Sequence, residues 1–157
     1  MLAEVTPYEV YAIKYATVAR RSVENFIGGD PHETAARMDY FVWLARSASR
    51  TFVVDTGFNQ AAAARRRRDF LRSPVDGLRL LGVDAARVED VVITHLHYDH
   101  VGNFDLFPKA RFYLQDRELA YATGRYMHCV NTGRYAEYGI PPPARKHATS
   151  FGRCVPK

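Results

Sequence analysis

The sequence predicts an α/β domain in which helices pack against a mostly mixed sheet. Short segments rich in β-forming residues alternate along the chain with segments of helical periodicity, which is typical of layered α/β domains. A chain of 157 residues has the length of one domain. We therefore expect one domain over residues 1–130, followed by an irregular tail over residues 131–157.

Five segments are predicted as strands because β-branched and aromatic residues dominate them. In chain order they are Tyr8–Tyr15, Tyr40–Ala45, Thr51–Asp55, Val91–Thr94 and Ala110–Leu114. The second segment is apolar on both faces, as expected of a strand inside a layered domain.

Three helices are predicted between the strands, at Asn59–Arg72, at Ser73–Gly82 and at Asp116–Thr123. Ser73 and Pro74 are typical of the start of a helix, and Gly82 of its end. The four consecutive arginines Arg65–Arg68 are interpreted as a solvated helix face. No aromatic residues interleave with them, so a nucleic-acid partner is not expected. The last fifteen or so residues are expected to be poorly ordered.

Composition and charge indicate an ordinary soluble protein. Hydrophobic residues make up 47% of the chain and the net charge is +5. No apolar run is long enough to span a bilayer, and no signal peptide is recognisable, so a cytoplasmic location is expected. The two cysteines, Cys129 and Cys154, fit a reducing compartment.

A dense cluster of metal-ligand side chains follows the fourth predicted strand. It contains His95, His97, Asp99 and His100. Residues i and i+2 of an extended segment point to the same side, so His95 and His97 can bind one metal ion together. Asp99 and His100 follow where the chain turns, and they can bind a second ion, or Asp99 can accept a proton from a metal-bound water. Imidazole nitrogens suit zinc, and no cysteine lies nearby to suggest a closed structural site.

Two other residues have alternative interpretations. Asp55 ends an apolar strand, where its carboxylate needs a partner. It either caps the next turn or accepts a hydrogen bond from a metal-bound histidine and so orients it. His32 follows the Gly28–Pro31 loop and is interpreted as a surface residue.

The motif His95-Leu-His-Tyr-Asp-His100 resembles that of the metallo-β-lactamase superfamily. The flanking segments Phe52–Gly57, Val92–Asn103 and Tyr113–Glu118 resemble the N-acyl homoserine lactonase branch. The resemblance covers roughly residues 8–126. It implies the N-terminal half of an αββα sandwich, a mixed sheet with helices, and a site for two zinc ions.

By the same resemblance, His95 and His97 would bind the first ion, and Asp99 and His100 the second. Asp99 would also donate a proton to the leaving alkoxide, and Asp55 would contact the metal-binding histidines. The implied reaction is the opening of a lactone ring by a metal-bound hydroxide. The implied partner is a small ester or lactone.

The sequence departs from the family pattern after residue 126. The family fold has a second half that supplies a third histidine, a bridging aspartate and a last histidine. His128 and His147 are candidate replacements, but no aspartate follows Glu118. We therefore hypothesise a truncated or frame-shifted copy. Its apolar sheet faces at Tyr40–Ala45 and Thr51–Val54 would be partly uncovered and could drive self-association.

Two classes of function follow from these observations. The first is a zinc-dependent hydrolase, of lactones or of thioesters or phosphodiesters, since these reactions share the motif. The second is a non-catalytic metal-binding half-domain.

Overall fold

A computed structural model describes residues 6–29 and 31–123. Its strands are β1 (Glu9–Arg21), β2 (Ala35–Arg46), β3 (Thr51–Val54), β4 (Asp69–Phe70), β5 (Asp90–Val92) and β6 (Arg111–Tyr113). They form one six-stranded sheet in the order β4-β1-β2-β3-β5-β6. The pairs β1–β2, β1–β4 and β2–β3 are antiparallel, whereas β3–β5 and β5–β6 are parallel. This mixed sheet with helices confirms the predicted fold class.

The helices are α1 (Gln60–Arg66), α2 (Pro74–Leu80), α3 (Tyr98–Val101) and α4 (Asp116–Thr123). Short 3-10 turns lie at Ser22–Glu24, Ala85–Arg87 and Phe104–Leu106. The prediction of α2 is confirmed, with Ser73 at its N-cap and Pro74 in its first turn. The prediction of α4 is also confirmed. None of the helices in the described ranges is long and apolar enough to cross a membrane.

The predicted helix Asn59–Arg72 is wrong beyond Arg66. Arg67 takes a left-handed conformation, with φ of 55°, and caps α1. The chain then forms β4, which pairs with Ala16 and Thr17 of β1. There the ring of Phe70 lies 6.3 Å from that of Phe58, between centroids. Pairing with the sheet and aromatic packing outweigh the helix propensity of the Ala-Arg run.

Strand β1 extends six residues beyond its predicted end. The prediction is too short because a bulge interrupts the alternation of buried and exposed residues. The pairing register with β2 shifts between Lys14 and Ala16. The extra residue at the bulge places Tyr15 and Ala16 both in the core, so the alternation of buried and exposed residues breaks. β2 is correspondingly longer than predicted, because residues 35–39 pair with the second half of β1.

One face of the sheet carries the hydrophobic core. Helix α2 lies on β1 so closely that a Cβ atom at Gly77 would be 2.3 Å from Ile13. The largest buried side chains on and beneath this face are Tyr15, Val42, Leu44, Val53, Phe58, Leu78, Val91 and Phe107.

The opposite face of the sheet carries exposed apolar side chains. Phe41 and Trp43 alternate with the buried residues of β2, and their side chains are 36% and 43% exposed. Trp43 pairs with Val54, Val54 with Val92, and Val92 with Tyr113, so an apolar row crosses four strands. Within the described residues, this confirms that the faces at Tyr40–Ala45 and Thr51–Val54 are partly uncovered.

Candidate metal centre

Parallel pairing of β3 and β5 brings Asp55 to the histidine cluster. Val54 lies beside Val92, so the two strands end at the same edge of the sheet. Ligand sites of open α/β sheets are built at this carboxyl edge. Asp55 follows β3 directly, and residues 94–100 follow β5.

Asp55 turns out of β3 in a left-handed conformation, with φ of 63°. Such backbone strain is uncommon outside glycine and is concentrated at functional sites. Its side chain is buried and accepts hydrogen bonds from the backbone N–H of Thr94 at 2.8 Å and from the Thr94 hydroxyl at 2.9 and 3.0 Å. It also lies 2.8 Å from Nδ1 of His100. These contacts favour the interpretation of Asp55 as an acceptor that orients a histidine over that of a cap.

The hydrogen bonds of Asp55 and Thr94 engage Nδ1 of two histidines and turn Nε2 of each towards the other candidate ligands. Nδ1 of His100 donates to Asp55, so Nε2 is the atom available to a metal. The Thr94 hydroxyl donates to Asp55 and therefore accepts from Nδ1 of His95, at 3.0 Å. His95 thus also presents Nε2. An acceptor that fixes the ring orientation in this way is usual behind metal-bound histidines.

His95 and His97 have the separation of two ligands on one ion. Nε2 of His95 lies 3.1 Å from Nδ1 of His97. Two nitrogens bound to one tetrahedral zinc ion stand roughly 3.3 Å apart, because each bond is about 2.0–2.1 Å long. This separation fits the prediction that His95 and His97 bind one metal ion together.

Asp99 and His100 form a second pair of the same kind. Nε2 of His100 lies 3.5 Å from Oδ2 of Asp99. The two pairs are adjacent, since the ring centroids of His95 and His100 are 3.8 Å apart. Imidazole and carboxylate donors are the ligands that zinc takes in hydrolytic sites.

The two pairs do not join into a larger ligand group within residues 6–29 and 31–123. There, no three side chains of histidine, cysteine, aspartate or glutamate converge on one point. His128 and His147, the predicted replacements, lie outside the described residues, as does the predicted tail over residues 131–157.

Electrostatic interactions stabilise the arrangement of the candidate ligand side chains. Burial alone would lower the pKa of His100, but hydrogen bonds to Asp55 and Asp99 outweigh burial and raise that pKa to about 9. Burial and the positive charge of His100 lower the pKa of His95, which favours its neutral form. Burial opposes ionisation of Asp99, but the hydrogen bond from His100 prevails, and the pKa of Asp99 is lowered. A metal ion at Nε2 of His100 would take the place of a proton.

Hydrogen bonds to backbone atoms of residues 96–100 fix the segment that carries the candidate ligands. The sequence does not reveal these hydrogen bonds. The carbonyl of His100 accepts from the backbone N–H of Thr56 at 2.7 Å and from its hydroxyl at 3.0 Å. The Tyr15 hydroxyl donates to the carbonyl of Asp99 at 3.0 Å, and the Glu118 carboxylate accepts from the backbone N–H of Leu96 at 2.9 Å. Sequence reasoning did not identify Thr56, Tyr15 or Glu118 as residues that support the site.

Gly102 allows the segment after β3 and the segment after β5 to approach each other closely. A Cβ atom at this position would lie 2.8 Å from the carbonyl oxygens of Gly57 and Tyr98. Beside it, Asn103 is buried and its side chain donates to the carbonyl of Thr56 at 2.9 Å. The segment after β3 and the segment after β5 are therefore in direct backbone contact.

Two predictions about surface residues have different outcomes. His32 is exposed, which confirms its prediction as a surface residue. The interpretation of Arg65–Arg68 as a solvated face is wrong for half of the run. Arg65 and Arg67 are exposed, but Arg66 and Arg68 are partly buried, and the guanidinium of Arg66 lies 3.7 Å from the ring centroid of Tyr98.

Comparison with known protein families identifies the family of this chain from its sequence. The model of the metallo-beta-lactamase superfamily matches residues 37–128. The N-acyl homoserine lactonase AttM of Azorhizobium caulinodans is 47% identical over 45 residues, which are 29% of this chain and 17% of that protein.

Solved structures extend the likeness to the described fold. An N-acyl homoserine lactone hydrolase with N-hexanoyl-L-homoserine at its catalytic metal centre has a TM-score of 0.57 at 17% identity, over 77% of this chain and 53% of that chain. The dizinc quorum-quenching lactonase AidC has a TM-score of 0.58 at 15% identity, over 87% and 55%. This chain spans about half the length of these solved structures, which share its fold. The family model, which matches more than half of its residues, shows that the chain belongs to the metallo-β-lactamase superfamily.

Proposed function

We propose that this chain supplies the His95–His100 centre of a zinc-dependent hydrolase that opens lactone rings. The observation that carries the proposal is the geometry of two adjacent donor pairs, with separations of 3.1 Å and 3.5 Å between donor atoms. The similarity to N-acyl homoserine lactonases over 45 residues supports this substrate class.

The donor pairs divide the ligands between two ions. His95 and His97 would hold one through Nε2 and Nδ1, and Asp99 and His100 the other through Oδ2 and Nε2. Zinc in such a site lowers the pKa of a water to near 7 and polarises a carbonyl. Asp55 orients His100 directly and His95 through the Thr94 hydroxyl.

Asp99 moves the proton in the proposed reaction. As a carboxylate, it can accept a proton while the oxygen of water bonds to the lactone carbonyl carbon. It then returns that proton to the ring oxygen as the carbon–oxygen bond of the ring breaks. The product carries a carboxyl group and an alcohol on one molecule.

Further ligands must come from outside the described residues, because catalytic zinc usually has three protein ligands. This requirement favours a second candidate function, a non-catalytic metal-binding half-domain. The observation behind it is that no third donor joins either pair within residues 6–29 and 31–123. The cytoplasmic location stays a prediction.

One experiment separates the two candidates. The purified 157-residue chain is loaded with zinc, and its metal content and its hydrolysis of N-hexanoyl homoserine lactone are measured together. We expect about two zinc ions per chain and turnover that His97→Ala abolishes. His32→Ala, which removes a histidine on an exposed loop, should leave both unchanged.

Other outcomes assign the alternatives. Bound zinc without hydrolysis of lactones, thioesters or phosphodiesters would establish the non-catalytic candidate. Hydrolysis of a thioester or a phosphodiester, without hydrolysis of the lactone, would support the catalytic metal centre but assign it a different class of substrate. Neither zinc nor turnover would contradict both candidates.

A further inference from the structure

Arg66 stacks on the one residue that separates two candidate ligands. Its guanidinium carbon lies 3.7 Å from the ring centroid of Tyr98, and Tyr98 stands between His97 and Asp99. A cation over an aromatic face at this distance is attracted by the ring quadrupole. The contact therefore joins the end of α1 to the first turn of α3.

Arg68 interacts electrostatically with the Tyr98 side chain. Burial would lower the pKa of the Arg68 guanidinium, but hydrogen bonds with Tyr98 and Tyr40 and the charges of these tyrosines raise it. Arg68 also donates to the backbone carbonyl of Arg66 at 3.0 Å, which ties the two arginines together. The Tyr98 ring packs on Phe58 as well, with centroids 5.5 Å apart.

The end of α1 explains why only half of the arginine run reaches Tyr98. Arg67 is left-handed, and its backbone N–H bonds back to the carbonyls of Ala63 and Ala64. Beyond this cap the chain no longer follows the helix. Arg66 and Arg68 are consequently partly buried, whereas Arg65 and Arg67 are exposed.

We propose that Arg66, whose backbone carbonyl accepts a hydrogen bond from Arg68, is a positioning residue for the candidate metal centre and acts through the Tyr98 side chain. The proposal rests on metal binding by the histidine cluster, as proposed above. His97 is exposed and is the N-cap of α3, so its place depends on the backbone on either side of it. Fixing Tyr98 fixes the two peptide bonds that lead to His97 and Asp99.

The first test compares two arginines of the same run. Arg66→Ala should lower the affinity of the chain for Zn²⁺ about fivefold, as expected for the loss of one partly buried cation–π contact. It should also alter the visible spectrum of the Co²⁺-loaded chain. Arg65→Ala removes the same charge from an exposed position of the same helix, and it should change neither property. Equal effects of the two variants would mean that only charge matters and would overturn the proposal.

A double-mutant cycle tests whether Arg66 acts through Tyr98. In a Tyr98→Leu background, Arg66→Ala should cause no further loss of Zn²⁺ affinity, because the residue that transmits the effect is gone. The same fold-change in both backgrounds would contradict the proposal. Arg66→Gln removes the cation and keeps a polar side chain. It replaces Arg66→Ala in both tests if that variant does not fold, with Arg65→Gln as its control.

Hydrogen exchange of the metal-free chain separates this proposal from the proposed function. Arg66→Ala should speed amide exchange in residues 95–101, and Arg65→Ala should not. If the unchanged chain binds neither Zn²⁺ nor Co²⁺, the proposed function fails, and with it the metal centre that Arg66 would serve. If metal binds and exchange in residues 95–101 is the same in both variants, the positioning role alone is overturned.

Discussion

The Asp55 carboxylate lies 2.8 Å from the His100 imidazole, although 45 residues separate them in the chain. The same carboxylate accepts from the Thr94 hydroxyl, which accepts in turn from His95. One buried acid thus orients a histidine of each candidate ligand pair.

Asp55→Asn should weaken zinc binding about 10- to 100-fold, the usual cost of losing the acceptor behind a metal-bound histidine. The amide keeps the shape but cannot accept from Thr94 and His100 with both of its atoms. Competition with a chromophoric chelator measures the affinity. Asp105→Asn, an exposed carboxylate in the same region, serves as the control. Equal affinities of the two variants would contradict the orienting role.

Tyr15→Phe should lower the free energy of unfolding by about 1–2 kcal/mol, since it leaves the buried partner of one hydrogen bond unsatisfied. The lost bond is the one from the Tyr15 hydroxyl to the carbonyl of Asp99. Urea denaturation followed by circular dichroism gives the value. Tyr11→Phe removes the hydrogen bonds of the Tyr11 hydroxyl to Glu9 and from Arg46, whose charged groups remain accessible to water, and it should have the smaller effect.

Gly102→Ala should destabilise the chain and weaken zinc binding together. Gly102 has an ordinary right-handed φ of −71°, so the cost comes from steric contact with the carbonyls of Gly57 and Tyr98. Gly82→Ala is the complementary control, because Gly82 has a φ of 75° and nothing near a Cβ atom. It should affect folding stability alone, by about 1 kcal/mol. Urea denaturation and zinc titration of both variants check this contrast.

The sequence predicts the part of the site that is formed by residues close together in the chain. His95, His97, Asp99 and His100 lie within six positions, and spacing alone places the first two side by side. Asp55 is suggested by a charge at the end of an apolar strand. The mixed sheet is predicted from the segments rich in β-forming residues, and its partly uncovered apolar faces are predicted from the resemblance to one half of a sandwich fold.

The remainder depends on contacts between distant segments. The Tyr15 hydroxyl reaches Asp99 across 84 residues, and Arg66 reaches Tyr98 from another helix. Arginine is not a residue that favours the left-handed conformation, so the cap at Arg67 and the strand β4 after it leave no local signal. The bulge at Tyr15 similarly conceals the true length of β1.

Asp90 should stabilise the fold above about pH 4 and lose this effect on acidification. The Tyr113 hydroxyl donates to it at 2.8 Å, and this bond, with Arg50 and Arg111, lowers the pKa of Asp90. A carboxyl whose pKa is lower in the folded state contributes fully above its unfolded pKa of about 3.9 and loses the contribution as pH falls through the folded pKa.

The melting temperature measured from pH 7 to pH 3 tests this sign. The difference between the unchanged chain and Asp90→Asn should be largest near neutral pH and should shrink below about pH 4. Glu89→Gln, at the exposed neighbouring position, should show no such trend. A difference that grows on acidification would contradict the assignment.

Trp43→Thr should reduce self-association of the 157-residue chain. Trp43 is 43% exposed and lies at the β2 end of the apolar row that crosses β2, β3, β5 and β6. Exposed apolar surface of this kind promotes association. Sedimentation velocity over a range of concentrations measures it. Ile27→Thr removes an exposed apolar side chain outside the sheet and should leave the distribution of species unchanged.

If the candidate centre binds metal, the double hydrogen bond from Thr56 to the carbonyl of His100 would couple metal occupancy to folding. An ion at His100 binds a segment that is already joined to the end of β3, so it can be bound tightly only when β3 and β5 are paired. By mass action, free zinc at 100 times its dissociation constant would stabilise the folded state by about 2.7 kcal/mol. The supply of metal would then set how much of the chain is folded as well as how much is loaded.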